Sequence, residues 1–456
     1  MGNTNTKPFG VKDKIGYMCG DIANDFTFIF ASSYVMVFYT KVMGVSAGMV
    51  GTMFLLARCL DAFTDIGMGR IVDNSKPTKN GRIRPWILRM CAFVALASFM
   101  MYQSFLVDAP YAAKVAYMFI TYILWGSIFY TSVNIPYGSM ASVISSEPKD
   151  RSSLSVFRSL GGTLAGILIG MLAPMVVYYT DEAGNKVVSA SKISMIAGIF
   201  SVLAVICYLL CYMLTTERVA YVPKPDVQKK TFGQTVSALF SSRSLMGLIL
   251  SAVLLLLASL MSQGINQYLF ADYFKNTAAL SVYSLLMLPC VLVLSAVSTK
   301  LAVKYGKKEC SLIGMFISAG LYFIIGVLHV KNVWLFVGLA FLAMIGMYFF
   351  QMQCWALVTD VIDDMEVKNH TRADGTVYSF ARKIGQAIAG GLSGWALGWI
   401  GYDELATSQT QEVANGIYNL STFFPAIIYA LCGLALLLIY PLSKAKVEAN
   451  VKELES

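Results

Sequence analysis

The sequence predicts an all-α membrane protein with twelve transmembrane helices, and its composition and the pattern of its apolar runs support this fold class. Of its 456 residues, 57% are apolar and only 13% are charged, whereas soluble domains carry about 25% charged residues. The apolar residues gather in runs of the roughly 20 residues that a membrane-crossing helix needs. Membrane β-strands alternate apolar and polar residues over segments of about 10 residues, and these runs show no such alternation. The net charge of +9 is scattered between the runs, so soluble, disordered, fibrous and nucleic-acid-binding classes are excluded.

The twelve apolar runs form two sets of six. The first set covers 15–40, 46–72, 84–106, 112–145, 152–180 and 192–215, and the second covers 244–272, 277–303, 309–330, 332–366, 376–401 and 413–442. The predicted domains are an N-terminal six-helix bundle at 1–215, a cytoplasmic linker at 216–243, a C-terminal six-helix bundle at 244–442 and a cytoplasmic tail at 443–456. Short, basic, glycine-containing turns occupy equivalent places in the two halves. Two six-helix halves related by a parallel repeat predict the major facilitator fold.

The basic residues predict the orientation of the chain in the membrane. Of the 35 Lys and Arg residues, 22 lie in the two termini and one alternate set of loops, and only 6 lie in the other set. Cytoplasmic loops carry the excess of Lys and Arg. Both termini are therefore predicted to be cytoplasmic.

The second run contains the strongest cluster of ionisable residues inside the predicted membrane region. Arg58, Asp61 and Asp65 follow one another at spacings of three and four, which places them on one helix face, and Thr64 adds a hydroxyl. Charged groups at this depth are costly and indicate a functional site. The two carboxylates predict a Na⁺ or Li⁺ site, or a pair that shares a proton. A purely structural Arg–Asp network is the alternative.

Four other runs supply polar groups at similar depths, and together they predict a sugar site near the membrane midplane. The polar groups are Asp21 and Asp25 in run one, Asn134 in run four, Arg158 in run five, and Arg382 and Lys383 in run eleven. Tyr34 and Tyr130 could stack on the apolar face of a sugar ring, although single aromatic residues more often only pack.

The sequence contains no motif for metal binding, phosphate binding or nucleophilic catalysis. The nine cysteines have no metal-ligand spacing, and no phosphate-binding loop or nucleophile motif is present, so we expect neither an enzyme nor a cofactor beyond the coupling ion. Asp360, Asp363, Asp364 and Glu366 close run ten. They are expected to form a solvated gate, with a second cation site as the alternative.

Four segments resemble the glycoside–pentoside–hexuronide cation symporters. They are GDIANDFTFIF, GTMFLLARCLDAFTDIGMGRIVDNSKPTKNGRIRPWIL, NIPYGSMA and ARKIGQAIAGG. The resemblance covers nearly the whole chain and implies sugar import with Na⁺, Li⁺ or H⁺ across a bacterial inner membrane. It implies that the cation is bound by Asp61, Asp65 and Thr131. It also implies that the sugar is bound by Asp25 and Arg158, and that Lys383 matches a functional lysine of the family.

One departure from the family pattern bears on the substrate. Asn134 stands where the melibiose permeases have an acidic residue, and Gly138 stands where they have Trp. With one negative charge fewer, the pocket is predicted to tolerate or prefer a carboxylate on the sugar. The segment NIPYGS is similar to the glucuronide and xyloside permeases, so we expect a glucuronide or a xyloside. An efflux carrier of the same fold and a sugar sensor that does not transport remain the alternatives. The chain is expected to act as a monomer.

Overall fold

The computed structural model describes residues 8–78, 80–219, 242–369 and 376–455. The chain divides into two compact units, Met1–Pro225 with Asp403–Thr407 and Asp226–Tyr402 with Ser408–Ser456. Most of the linker predicted at 216–243 falls within 220–241, outside the described residues, and the domain boundaries stay predictions. Within the described ranges, ten helices are long and apolar enough to cross a membrane.

The first unit consists of seven α-helices, one π-helical turn and a β-hairpin. The helices are α1 Val11–Lys41, α2 Ala47–Asn74, α3 Arg84–Met100, α4 Tyr111–Ile123, α5 Thr131–Ile144, α6 Pro148–Val177 and α7 Ala190–Leu214. The π-helical turn Leu124–Tyr130 joins α4 to α5. Strands β1 Tyr178–Thr180 and β2 Lys186–Val188 pair in antiparallel register between α6 and α7. This hairpin was not predicted.

Helix α1 is the central helix of the first unit, and it packs against both α6 and α7. Its aromatic side chains Phe26 and Phe30 both contact Phe200 of α7, with ring centroids 5.4 Å apart in each pair. Both α1 residues are at most 4% exposed. The polar residues Asp21 and Asn24 in the middle of α1 are at most 9% exposed, so they face protein or an internal site.

Buried ionic contacts join the basic loops at one end of the first unit. The Glu217 carboxylate accepts hydrogen bonds from the backbone N–H groups of Arg82, Ile83 and Arg84 at 2.7–2.9 Å, at the start of α3. Asp13 and Arg218 form a two-bond ion pair at 2.9 Å. A carboxylate at a helix N-terminus satisfies amides that otherwise have no partner. The segment after α7 is therefore anchored to α1 and α3.

The second unit repeats the helical pattern. Its α-helices are α8 Arg243–Tyr268, α9 Thr277–Leu285, α10 Met287–Tyr305, α11 Lys307–Leu328, α12 Val333–Asn369, α13 Thr376–Trp399, α14 Gln411–Leu434 and α15 Lys444–Glu455. Two π-helical turns, Leu269–Tyr273 and Ala435–Ile439, follow α8 and α14.

Two of the predicted runs differ from the structure. The run predicted at 84–106 ends as a helix at Met100, and turns follow it. The run predicted at 277–303 is broken at Leu286, three residues before Pro289. Proline lacks the N–H of a helical hydrogen bond and clashes with the preceding turn, so it interrupts the helix just before it.

Two of the four acidic residues at the end of α12, Asp360 and Asp364, were wrongly expected to be solvated, whereas Asp363 and Glu366 are half-buried. Asp364 is 0% exposed and accepts hydrogen bonds from Ser244 Oγ at 2.7 Å and Asn450 Nδ2 at 3.2 Å. Asp360 is 5% exposed and pairs with Lys307 at 2.6 Å. Buried carboxylates with such partners hold α8, α11, α12 and α15 together.

Candidate functional site

The two carboxylates predicted to bind a cation lie one turn apart on α2, and Asp61 is bonded through both of its oxygens. Arg58 Nη1 lies 2.9 Å from Asp61 Oδ2, and Ser127 Oγ donates to Asp61 Oδ1 at 2.5 Å. Asp61 is only 8% exposed. The neighbouring guanidinium balances its charge, which a buried carboxylate requires.

The π-helical turn Leu124–Tyr130 and the first residue of α5 supply a matching pair of hydroxyls, Ser127 and Thr131. Thr131 Oγ1 lies 3.0 Å from Asp65 Oδ1 and also 3.2 Å from the Gly126 carbonyl, five residues earlier. Ser127 and Thr131 are four residues apart, as are Asp61 and Asp65, so each hydroxyl meets one carboxylate. The π-turn is a rare irregularity that often marks functional positions in helices.

Ser127 was not identified by the sequence analysis. A small hydroxyl residue in an apolar run is typical of helix packing in membranes, and the π-turn that orients Ser127 has no sequence signature. The one available signal was spacing, because Ser127 precedes Thr131 by the same four residues that separate the two aspartates.

Thr64 does not supply its hydroxyl to the carboxylates of the cluster. Its Oγ1 donates to backbone carbonyls of its own helix, those of Leu60 at 3.4 Å and Asp61 at 3.3 Å. Backbone bonding of this kind is common for threonine inside helices. In this structure the hydroxyl that contacts the Asp61 carboxylate belongs to Ser127, and the assignment of Thr64 to the cation site stays a prediction.

Aromatic contacts join the α2 cluster to α1. The Arg58 guanidinium lies over the Phe28 ring at 5.2 Å, and Phe28 stacks on Tyr130 with centroids 5.8 Å apart. Phe28 follows Asp25 by three residues on α1, so it and Asp25 lie on adjacent turns of one helix face. The groups predicted for the cation and for the sugar are thus neighbours within one unit.

Arg158 of α6 pairs with Asp21 of α1. Its Nε lies 2.9 Å from Asp21 Oδ1, and its guanidinium lies over the Tyr137 ring at 5.3 Å. Tyr137 is itself fixed, because its hydroxyl donates to the Tyr17 carbonyl at 2.6 Å. The Arg158 side chain remains 42% exposed. One edge of the guanidinium is therefore held by protein, while part of the side chain stays accessible.

Asp25 lies beside this ion pair, against a glycine of α6. A Cβ added to Gly162 would lie 2.6 Å from Asp25 Oδ2 and 3.2 Å from Asp21 Oδ2, so only glycine leaves room for both carboxylates. Among the described residues, no donor hydrogen-bonds to the Asp25 carboxylate or to the side chain of Asn134, which follows Thr131 by three residues on α5. These polar groups are available to a ligand.

The remaining predicted sugar residues have different placements. Tyr130 packs on Phe28, as described above. Tyr34 is 1% exposed and stacks on Phe30 at 5.0 Å, in the interior of the first unit, which makes it a packing residue in this structure. Lys383 lies half-buried on α13 of the second unit. The Arg382 side chain lies outside the described residues.

The donor set limits the chemistry of the site. Carboxylates and hydroxyls are hard oxygen ligands, which suit hard cations and not soft transition metals. The described residues contain no group of three or more His, Cys, Asp and Glu side chains that could hold a metal ion. The first unit thus presents an oxygen cluster on α2 and α5 beside an arginine–carboxylate cluster on α1 and α6.

Comparison with known proteins gives a family and full-length relatives. The family model described as "MFS/sugar transport protein" matches residues 16–444. The uncharacterized symporter YjmB of Bacillus subtilis is 31% identical over 98% of this chain and 96% of its own length. The glucuronide carrier protein homolog of Escherichia coli is 30% identical, with 97% and 95% covered. A putative 2,3-dihydroxypropane-1-sulfonate exporter of Salmonella typhimurium is 28% identical, with 100% and 99% covered.

A solved structure shows the fold. The xylose transporter XylE from E. coli, in an inward-open conformation, matches with a TM-score of 0.64 and 13% identity over 97% of this chain and 98% of that chain. The predicted all-α membrane protein with the major facilitator fold is therefore confirmed.

Proposed function

We propose, since this chain belongs to the MFS/sugar transport protein family, that it is a cation-coupled symporter that imports a sugar by alternating access. Membership makes the chain a multi-pass membrane transporter and not an enzyme, as the sequence predicted. The imported substrate is a glycoside, pentoside or hexuronide, and the coupling ion is Na⁺, Li⁺ or H⁺. No other cofactor takes part in this proposal.

One observation carries the cation half of the proposal: each of two carboxylates one turn apart is paired with a hydroxyl from a neighbouring helix. Two of the four paired oxygens belong to α2, and they are Asp61 Oδ1 and Asp65 Oδ1. The other two are Ser127 Oγ in the π-helical turn Leu124–Tyr130 and Thr131 Oγ1 at the start of α5. Two carboxylates and two hydroxyls are hard oxygen ligands of the kind that a cation such as Na⁺ or Li⁺ takes.

The substrate half rests on Arg158 and its surroundings. Asp21 holds the Nε edge of Arg158 and Tyr137 supports its face, so the accessible part of the guanidinium has a fixed orientation. A guanidinium binds a carboxylate through charge-assisted hydrogen bonds, while Asp25 and Asn134 can bind sugar hydroxyls. This set favours a hexuronide, and the relative that is named a glucuronide carrier homolog supports the same class. A neutral xyloside, bound by hydroxyl contacts alone, is the second substrate in this proposal.

Coupling follows from the position of Arg58. A cation at Asp61 and Asp65 competes with the guanidinium for Asp61 Oδ2, and that guanidinium lies on Phe28, one turn from Asp25. Cation binding therefore alters the electrostatic field and the packing at the sugar groups. Because the two ligands share this coupling, each must tighten the other by the same factor.

Export is the second candidate function, and one specific observation favours it. A full-length relative at 28% identity is named as a putative exporter of a sulfonate. That name describes transport of a small anion out of the cell. Arg158 would bind a sulfonate as readily as a carboxylate. A sensor that binds sugar without transport gains no such support.

Orientation and location complete the proposal. Both termini are proposed to be cytoplasmic, which the excess of Lys and Arg in one set of loops supports. The chain is proposed to lie in the bacterial inner membrane, which the resemblance to bacterial symporters supports. Lys383 on α13 is proposed as a further contact to the sugar. The functional form is a monomer.

Uptake by purified protein in lipid vesicles tests the function and its direction. Radiolabelled glucuronides, xylosides and galactosides are supplied outside vesicles that carry an inward gradient of Na⁺, of Li⁺ or of H⁺ in turn. We expect accumulation of a glucuronide or a xyloside with one inward cation gradient, and its loss when the gradient is collapsed by an ionophore. Accumulation driven only by an opposite gradient would support export instead.

A further inference from the structure

Ser127 is a buried hydroxyl whose position is set by an irregular turn. It is 1% exposed, its oxygen lies 2.5 Å from Asp61 Oδ1, and its second contact, the Ala57 carbonyl, is at 3.5 Å. It lies within the π-helical turn Leu124–Tyr130. Ser127 and Thr131 are four residues apart, a spacing that places two side chains on one helix face, and both hydroxyls contact carboxylates of α2.

Packing alone does not explain a serine at this position. A buried hydroxyl must be desolvated, which costs free energy unless it is hydrogen-bonded, and alanine would fill the same space against α2 without that cost. The hydroxyl instead makes one short, charge-assisted bond to a carboxylate that Arg58 already neutralises. Serine has one proton to donate and two lone pairs, so its oxygen can keep donating to Asp61 while it accepts a cation.

We infer that Ser127 is an oxygen ligand of the coupling cation and fixes the orientation of Asp61 Oδ1 toward it. This inference rests on the proposed function. The site then consists of two hydroxyl–carboxylate pairs, Ser127 with Asp61 and Thr131 with Asp65, and the two carboxylates lie one turn apart on α2. Its occupant is a hard monovalent cation, Na⁺ or Li⁺, since a proton needs no second hydroxyl ligand.

A matched control exists five residues further along the chain. Ser132 Oγ donates to the backbone carbonyl of Ile128 at 2.6 Å, and no carboxylate contacts it in the described part of the chain. Ser132→Ala therefore removes a hydroxyl from the same segment without touching the proposed ligand set. Ser127→Ala removes the ligand, and Ser127→Cys keeps a group of similar size with a softer atom that binds hard cations poorly.

The experiment titrates NaCl and LiCl, separately, into the purified full-length protein in sodium-free choline buffer, by calorimetry and without sugar. We expect Ser127→Ala and Ser127→Cys to weaken Na⁺ binding about tenfold, the loss typical of one contact to a charged group, and to change the Na⁺ to Li⁺ affinity ratio. Ser132→Ala should match the wild type. Sugar affinity in the absence of Na⁺ and Li⁺ should stay within about twofold, which a general packing defect would not allow.

The outcomes separate this inference from the proposed function. If either Ser127 variant binds Na⁺ and Li⁺ as the wild type does, the inference is overturned and the symporter proposal stands. If the wild type binds neither ion, the inference is overturned as well, and proton coupling alone remains. Sugar binding that ignores Na⁺, Li⁺ and pH in the wild type would instead remove the proposed function itself.

Discussion

Asp61→Asn should abolish Na⁺- or Li⁺-dependent sugar uptake, with cation affinity lowered by about 100-fold or more. The substitution keeps the size of the side chain but removes the charge that Arg58 and the cation share. Breaking a buried charge pair by neutralising one partner costs about 3–5 kcal/mol, which corresponds to this loss. Uptake driven by a cation gradient in lipid vesicles measures the effect, together with cation titration of the purified variant.

Asp181→Asn is the control for the loss of one carboxylate. Asp181 lies in the turn between β1 and β2, where it accepts a hydrogen bond from the Asn185 backbone at 2.7 Å. The control should transport as the wild type does. Unchanged cation dependence in a folded Asp61→Asn variant would defeat the assignment of α2 as the cation site, whatever the substrate proves to be.

Arg158→Ala should weaken binding of an anionic sugar about 30- to 5,000-fold, while a neutral glycoside should lose much less affinity. Truncating one side of a buried, hydrogen-bonded charge pair costs about 2–5 kcal/mol, and a substrate carboxylate would lose its main partner. Arg158→Lys should retain little of the wild-type affinity for the anionic sugar, since lysine lacks the planar guanidinium that binds a carboxylate through two parallel hydrogen bonds. Calorimetry with a glucuronide and the matching glucoside measures the difference between the two substrates.

The ion pair with Asp21 requires a second variant in this experiment. Arg158→Ala leaves the Asp21 carboxylate buried without its cation, which could disturb the fold. Combining Asp21→Asn with Arg158→Ala removes that unpaired charge. If the double variant regains affinity for the glucuronide, Arg158 acts only through the structure and the proposed contact with the substrate is wrong. Arg89→Ala, at an exposed position of α3, is the control for loss of a guanidinium.

The long apolar runs made the fold predictable, because only helices satisfy their backbone groups inside a membrane. The span ends were less predictable. At Leu286 the break follows from Pro289, which the sequence shows, but the π-helical turn Leu124–Tyr130 contains no proline and only one glycine, Gly126, which does not by itself predict a π-turn. Its wider turn depends on packing against α2 and α3, which spacing along one chain does not reveal.

The candidate site was predicted in outline but not in its pairings. Rare ionisable residues in apolar runs indicated Asp61, Asp65 and Arg158 directly, since such residues are costly in a membrane. The partner of Arg158 was missed because Asp21 and Asp25 lie one turn apart on α1, and only the packing of α6 decides between them. Ser127 was missed for the same reason, because its neighbour across the helix interface, Asp61, is distant in sequence.

The central claim is thermodynamic coupling between a cation and a sugar on one protein, and binding calorimetry tests it most directly. The affinity of the purified protein for a glucuronide or a xyloside is measured with and without Na⁺, and the affinity for Na⁺ with and without that sugar, with Li⁺ and two pH values in parallel. Our account predicts that one cation tightens sugar binding and that the sugar tightens binding of that cation by the same factor. Sugar binding that is identical in all of these conditions would contradict it.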